Sequence, residues 1–169
     1  MSGAAEFHSQ LRRVRLLVLD VDGVLTDGRL YCGARGESLK VFNVKDGHGI
    51  KQVAAAGITV AIISGRKSPI VTRRARELGI RHVAQGVTDK LAALQKLVKS
   101  QSVALEHCAC VGDDTPDAPM LNAAGLAIAV ADAHPDALAA ADLVTSKAGG
   151  QGAVREVCDW LIDARRSRA

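Results

Sequence analysis

The chain is poor in aromatic residues: Phe7, Tyr31, Phe42 and Trp160 make up 2% of its 169 positions. That scarcity weighs against a surface that reads nucleic acid by stacking bases on rings. Cysteine is sparse as well, and Cys32, Cys108, Cys110 and Cys158 contain no CxxC pair. Buried free thiols, as a reducing compartment allows, are the expectation. No uncharged apolar run approaches the roughly 18 residues of a membrane span. The stretch from Met1 to Arg15 lacks the apolar core of a signal peptide, so the expected location is the cytoplasm. A Walker A loop, an HExxH pair and a GxSxG elbow are also missing, which removes support for kinase, zincin and α/β-hydrolase chemistry.

The remainder is ordinary for a soluble globular chain, with 48% apolar and 24% charged residues, and the length suits one domain over residues 1–169. The formal net charge is +4. Part of it sits at the ends, in Arg12, Arg13 and Arg15 and in Arg165, Arg166 and Arg168. A solvated surface is the plain reading; RNA, acidic lipid or a phosphorylated substrate are the alternatives.

Three apolar runs share one shape. Leu16–Leu19 leads into Asp20, Val60–Ile63 into Ser64, and Cys108–Val111 into Gly112 and Asp113. Each predicts a short buried strand that ends in a polar residue. Between them lie stretches of helical period: Ile50, Val53 and Ala54; Leu91, Leu94, Leu97 and Val98; Val154, Val157, Cys158 and Leu161. Further strands are predicted near Arg81–Ala84, Leu126–Ala129 and Leu143–Val144, and a helix over the alanine-rich stretch Ala137–Ala141. Pro69 and Pro116 suit first helical turns, and Gly57 and Gly79 suit helix ends. Buried strands alternating with amphipathic helices predict an α/β fold: a Rossmann-like parallel sheet with helices on both faces. One segment breaks the alternation. Arg29–Cys32 and Leu39–Val44 are β-prone, and the Gly-containing stretch from Gly33 to Ser38 separates them. They predict a β-hairpin inserted after the first strand, within about 28–45.

In an open parallel sheet, ligands bind beyond the carboxyl ends of the strands. That rule gathers Asp20, Ser64 and Asp113 on one edge. Asp outnumbers Glu by 13 to 5, and five of the Asp residues form two clusters, Asp20 with Asp22 and Asp113 with Asp114 and Asp117. Crowded carboxylates repel one another, and a hard cation such as Mg²⁺ relieves them. Helix capping explains Asp114 or Asp117 equally well, but it explains Asp20 and Asp22 poorly, because Leu19 and Val21 flank them. Lys90 falls in the first turn of a helix that starts at Thr88 or Asp89, where a cation opposes the helix dipole. A surface position tolerates that; beside an acidic site, a bound phosphate is the better explanation. Ser64-Gly65-Arg66 offers a hydroxyl and backbone N–H groups to a phosphate, although an ordinary capping turn fits as well.

Taken together, Asp20-Val21-Asp22-Gly23-Val24, Ser64, Lys90 and Gly112-Asp113-Asp114 resemble the motifs of the haloacid dehalogenase superfamily of phosphatases, in order and at suitable spacing. The resemblance extends over nearly the whole chain. Leu25-Thr26-Asp27-Gly28, the segment from Phe42 to Ile50, Ile63-Ser64-Gly65-Arg66 and the segment from Gly149 to Glu156 look like the 3-deoxy-D-manno-octulosonate 8-phosphate phosphatase family. That family has no large cap domain and forms homotetramers whose hairpins meet at the centre. The resemblance implies Asp20 as nucleophile and Asp22 as general acid and base. It implies Mg²⁺ on the carboxylates of Asp20 and Asp113 and the backbone carbonyl of Asp22. Ser64 and Lys90 would hold the phosphoryl group, with Asp114 or Asp117 orienting metal waters or Lys90. Lys45, Asp46, Gly47, His48 and Arg66 would meet the sugar acid, Arg66 through its carboxylate. One departure is Gln151, where the family often has a basic residue. The implied substrate is a small sugar phosphate, with no nucleic-acid or membrane partner, in lipopolysaccharide inner-core synthesis. Two rivals stand beside it: a phosphatase for a nine-carbon keto-sugar acid 9-phosphate, and a non-catalytic tetramerisation module, which need not keep both Asp20 and Asp22.

Overall fold

The computed structural model describes residues 2–166, with side chains placed from residue 7 onward, so Arg168 lies outside the described residues. Its centre is a six-stranded parallel sheet. The strands are β1 (Leu16–Leu19), β4 (Thr59–Ser64), β5 (His82–Gln85), β6 (Cys108–Gly112), β7 (Leu126–Ala129) and β8 (Leu143–Val144). Their spatial order is β5-β4-β1-β6-β7-β8. The chain builds outward from β1 on one side, then returns to lay β6 against its other side. This reversal opens a crevice at the carboxyl end of β1, the usual ligand site of such sheets.

The central strands are apolar throughout because both of their faces are covered. Leu17, Leu19, Ala109 and Val111 face a core layer with Ile50, Val71, Val154 and Leu161. Leu16, Val18, Cys108 and Cys110 face the opposite layer with Leu94, Val98, Met120 and Leu121. The first layer comprises α1 (Ser2–Arg13), α2 (Val44–Ala55), α3 (Pro69–Leu78) and α7 (Ala153–Arg166). The second comprises α4 (Lys90–Gln101), α5 (Ala118–Ala123) and α6 (Pro135–Ala139). Fully burying one such leucine contributes ~1.5–3 kcal/mol.

Pro69 opens α3, Pro116 lies in a 3-10 turn over Thr115–Asp117, and Gly79 caps α3 with a φ of +76°. Several expectations need correction. The hairpin is tighter than the sequence suggests, its first strand starting later and its second ending earlier: β2 (Tyr31–Gly33) pairs with β3 (Gly36–Leu39) around Ala34 and Arg35. Gly36 takes a φ of +103°, which closes the turn there. Val44 does not end a strand but begins α2, because the Asn43 side chain accepts the Lys45 N–H and caps the helix. Ala54 points to solvent although it matches the helical period. Cys32 is exposed on the hairpin, whereas Cys108, Cys110 and Cys158 are buried free thiols. A further helix beyond those predicted from the sequence, α1, packs against α7. Arg165 is no loose surface charge: its guanidinium donates to the carbonyls of Val14 (2.7 Å) and Ala56, tying the end of α7 to the chain before β1.

Candidate active site

Asp20 follows β1 directly, and its N–H donates to the Val111 carbonyl at 3.1 Å, so sheet hydrogen bonding continues up to the site. Its side chain is buried, and one oxygen accepts the Lys90 ammonium at 2.8 Å. Lys90 opens α4 after the Asp89 cap and also donates to Asp117 at 2.6 Å. The anion sought for Lys90 is therefore supplied by two carboxylates. Asp117 is held in turn by the N–H groups of Asp113 (3.0 Å) and Asp114 (3.2 Å). Asp114 is exposed and caps the 3-10 turn by accepting the Thr115 N–H at 2.7 Å.

Asp113 follows β6. Its carboxylate lies over Gly23, where an added Cβ would come within 2.0 Å of its Oδ2. Gly23 has a φ of +96°, so the close approach and the backbone turn both require glycine there. Gly149 supports that turn from behind: a Cβ on it would fall 1.7 Å from the Gly23 carbonyl oxygen. The glycine-rich loop before α7 thus backs the loop after β1, and the Asn43 side chain donates to the Gly150 carbonyl at 3.3 Å.

Burial and neighbouring charges dominate the electrostatics of this cluster. Burial raises the Asp20 carboxyl to about 6, with Lys90 pulling it down and Asp117 pushing it up. Burial, then Asp20 and Asp117, raise Asp113 to about 8. Lys90 is held above its ordinary value, because its two carboxylates outweigh the opposing effect of burial. Ligand oxygens of Asp20, Asp113 and Asp117 lie within 4.8 Å of one another, and the Lys90 ammonium contacts only Asp20 and Asp117 among them. Three short oxygen ligands with unbalanced negative charge suit a hard divalent cation.

Ser64 ends β4, buried, two residues beyond the partner of Leu19. Arg66 is exposed beyond it and lies 3.5 Å from Asp22 and 3.4 Å from Glu37. The Asp22 carboxylate is turned toward the hairpin, where Lys40 meets its other oxygen. The segment Lys45–His48 divides. Lys45 and His48 are exposed on the first turns of α2, while Asp46 and Gly47 are buried. Asp46 faces α7 rather than the cluster: it accepts the Arg155 N–H at 2.8 Å, and burial raises its carboxyl despite that bond. A Cβ on Gly47 would lie 2.5 Å from an Arg74 guanidinium nitrogen.

Sequence reasoning missed Glu37 and Lys40. In a regular strand, residues three apart point to opposite faces, so nothing marked them as a pair. β3 stops at Leu39, which frees Lys40 to return beside Glu37, 2.9 Å away. Bonds from Ser68 and Lys40, with Arg66, hold the Glu37 carboxyl below its ordinary value against the opposing effect of burial.

Comparison with known proteins agrees with this geometry. A haloacid dehalogenase-like hydrolase profile matches residues 80–157. The 3-deoxy-D-manno-octulosonate 8-phosphate phosphatase of Escherichia coli (strain B / BL21-DE3) is 50% identical over 162 residues, covering 96% of this chain and 86% of its own. The Salmonella typhi phosphatase of the same name is 51% identical over 93% of this chain and 84% of its own. Among solved structures, the Moraxella catarrhalis phosphatase in complex with magnesium, phosphate and a KDO molecule has a TM-score of 0.93 at 43% identity, covering 95% of this chain and 92% of its own. The cobalt-bound Haemophilus influenzae phosphatase has a TM-score of 0.91 at 44% identity, covering 93% and 92%. By sequence and by fold, the chain belongs to the 3-deoxy-D-manno-octulosonate 8-phosphate phosphatase family of the haloacid dehalogenase-like hydrolases.

Proposed function

We propose that this chain hydrolyses 3-deoxy-D-manno-octulosonate 8-phosphate to the free sugar acid and phosphate, with Mg²⁺ as cofactor, in lipopolysaccharide inner-core synthesis. The observation that carries the reading is the meeting of Asp20, Lys90, Asp113 and Asp117 at the carboxyl edge of the sheet.

Asp20 is the nucleophile. Its free oxygen attacks phosphorus, the ester P–O bond breaks, and Asp22 gives a proton to the departing sugar oxygen. Asp22 then takes a proton from water as the water oxygen attacks phosphorus, and the bond between phosphorus and the Asp20 oxygen breaks. Phosphate leaves, and both carboxyls return to their starting states. Ser64 and Lys90 bind the phosphoryl oxygens and stabilise charge as it develops. Asp117 orients Lys90, and Asp114 is available to waters on the metal. The carboxylates of Asp20 and Asp113 and the carbonyl of Asp22 are the proposed metal ligands. Mg²⁺ supplies the positive charge that lets an anionic nucleophile approach an anionic phosphate.

Arg66 is the group we assign to the substrate carboxylate, since a guanidinium suits bidentate recognition. Lys45 and His48 offer polar groups to the sugar, while Asp46 and Gly47 seat α2 against α7 and α3. The chain acts as a single catalytic domain with a hairpin insertion, in the cytoplasm, as a homotetramer joined through the hairpins. Support for that assembly comes from exposed apolar side chains on and around the hairpin: Leu30 (49%), Leu39 (45%), Val41 (55%) and Val44 (78%).

The test is phosphate release from 3-deoxy-D-manno-octulosonate 8-phosphate with Mg²⁺ or EDTA. Asp20→Asn serves as a control and a nine-carbon keto-sugar acid 9-phosphate as competitor. Mg²⁺-dependent release that prefers the eight-carbon ester and vanishes in Asp20→Asn is expected. Release from the nine-carbon ester alone would reassign the substrate. A folded tetramer inert toward both would point to a structural module.

A further inference from the structure

Lys40 and Glu37, from the hairpin, close a ring of charges with Asp22 and Arg66, and the mechanism above gives neither Lys40 nor Glu37 a part. The Lys40 side chain is only 1% exposed. Its ammonium contacts Asp22 Oδ1 and lies 2.9 Å from Glu37 Oε1. Glu37 Oε1 also faces Arg66 Nη2 at 3.4 Å, and Arg66 Nε faces Asp22 Oδ2 at 3.5 Å. Both oxygens of Asp22 are therefore held, one from the hairpin and one from the loop after β4. The ring is anchored from outside as well. The Ser68 hydroxyl donates to Glu37 Oε2, the Ser68 N–H donates to Gln85 at 2.8 Å, and Gln85 donates to Thr72 at 2.9 Å.

A two-stranded ribbon is marginal by itself in water, so its place over the site must come from such contacts. Burying an ammonium is costly unless carboxylates meet it, and here two do. A tether alone would need no contact with Asp22. The buried lysine instead ends on the residue that must point at the leaving oxygen in one step and at water in the next.

We propose that Lys40 and Glu37 are positioning residues: Lys40 holds the Asp22 carboxylate in the orientation for proton transfer, and Glu37 fixes Lys40 and Arg66. This rests on the phosphatase reading given above. The hairpin is thereby part of the catalytic apparatus as well as the proposed subunit contact, so a shift of the hairpin reaches Asp22 directly.

The test compares wild type, Lys40→Met, Lys40→Arg, Glu37→Gln and Asp22→Asn on the sugar phosphate and on p-nitrophenyl phosphate. Nitrophenolate departs without a proton, so forming the aspartyl-phosphate from that ester needs no acid, whereas hydrolysing it still needs a base. In Lys40→Met, kcat on the sugar phosphate should fall about 10- to 100-fold with little change in KM. With p-nitrophenyl phosphate, the same variant should show a burst of nitrophenolate followed by a slow steady state. Lys40→Arg should recover part of kcat, and Glu37→Gln should fall between. Thermal melting and light scattering establish that each variant is folded and assembled. A folded Lys40→Met enzyme with wild-type rates on both esters would overturn the proposal. So would equal slowing of both esters with no burst, in step with loss of assembly, since that marks a mere tether. Wild-type protein inert toward both esters would instead sink the phosphatase reading, and the positioning role with it.

Discussion

The Asp113 carboxylate lies in the space that a side chain at Gly23 would fill: a Cβ there would come within 2.0 Å of Asp113 Oδ2. The glycine after the Asp20–Asp22 pair is therefore what lets the ends of β1 and β6 converge on one cation-sized space.

Gly23→Ala tests that contact. The left-handed backbone costs an alanine ~1–2 kcal/mol, and the carboxylate must also move. A displacement of about 1 Å at a reacting centre can lower activity ~100-fold. Mg²⁺-dependent phosphate release should fall by about that factor, and calorimetry should show weakened Mg²⁺ binding. Wild-type binding would mean that Asp113 has another position open to it.

Lys90→Met removes the ammonium between Asp20 and Asp117. Breaking a buried pair destabilises by ~3–5 kcal/mol, and losing one transition-state donor lowers kcat ~10²–10³-fold. Urea unfolding and steady-state rates at saturating Mg²⁺ measure the two effects separately. If Lys90 were only a structural partner of Asp117, stability would drop while kcat remained.

The raised Asp113 carboxyl sets a pH dependence. Its folded value of about 8 lies above the ordinary 3.8, so the folded chain keeps a proton that the unfolded chain has released. Its contribution to stability is full below the ordinary value and is lost as pH rises through the folded one. Without metal, the melting temperature should therefore decline from pH 6 toward pH 8.5, and Asp113→Asn should flatten that decline. Mg²⁺ prefers the ionised carboxylates, so its stabilising effect should grow over the same window and its binding should release protons. Melting curves with and without Mg²⁺ check the sign; a Mg²⁺ effect that shrinks with pH would refute the assignment.

The exposed apolar side chains near the hairpin predict that Leu39→Glu with Val41→Glu weakens assembly. Light scattering should show the mass of the proposed tetramer fall toward that of one subunit. Folded subunits should keep their far-ultraviolet circular dichroism, because neither residue is in the core. A mass unchanged by the double substitution would place the subunit contact elsewhere.

Much of this protein was legible in its sequence. The runs ending at Leu19, Ile63 and Val111 are apolar on both faces, as a covered parallel strand requires, and their polar successors lie at the carboxyl edge of the sheet. Lys90 could be read from its awkward place at a helix start. The hairpin's bounds were less legible, because Tyr31–Gly33 and Gly36–Leu39 are exposed and bury no face that would set their register. Asp46 sits within a motif that resembles a substrate loop, yet it turns toward the start of α7, a partner more than a hundred positions away.

The strands of the parallel sheet, the order of the motifs and the acidic character of the site follow from local periodicity and residue chemistry, and so could be read from the chain alone. Folding in three dimensions set which carboxylates share an ammonium, which glycine lies beneath Asp113, and that Lys40 returns to meet both Asp22 and Glu37. The reason is physical: such pairings depend on where β3 ends and how loops far apart in the chain approach one another, and no local pattern carries that distance.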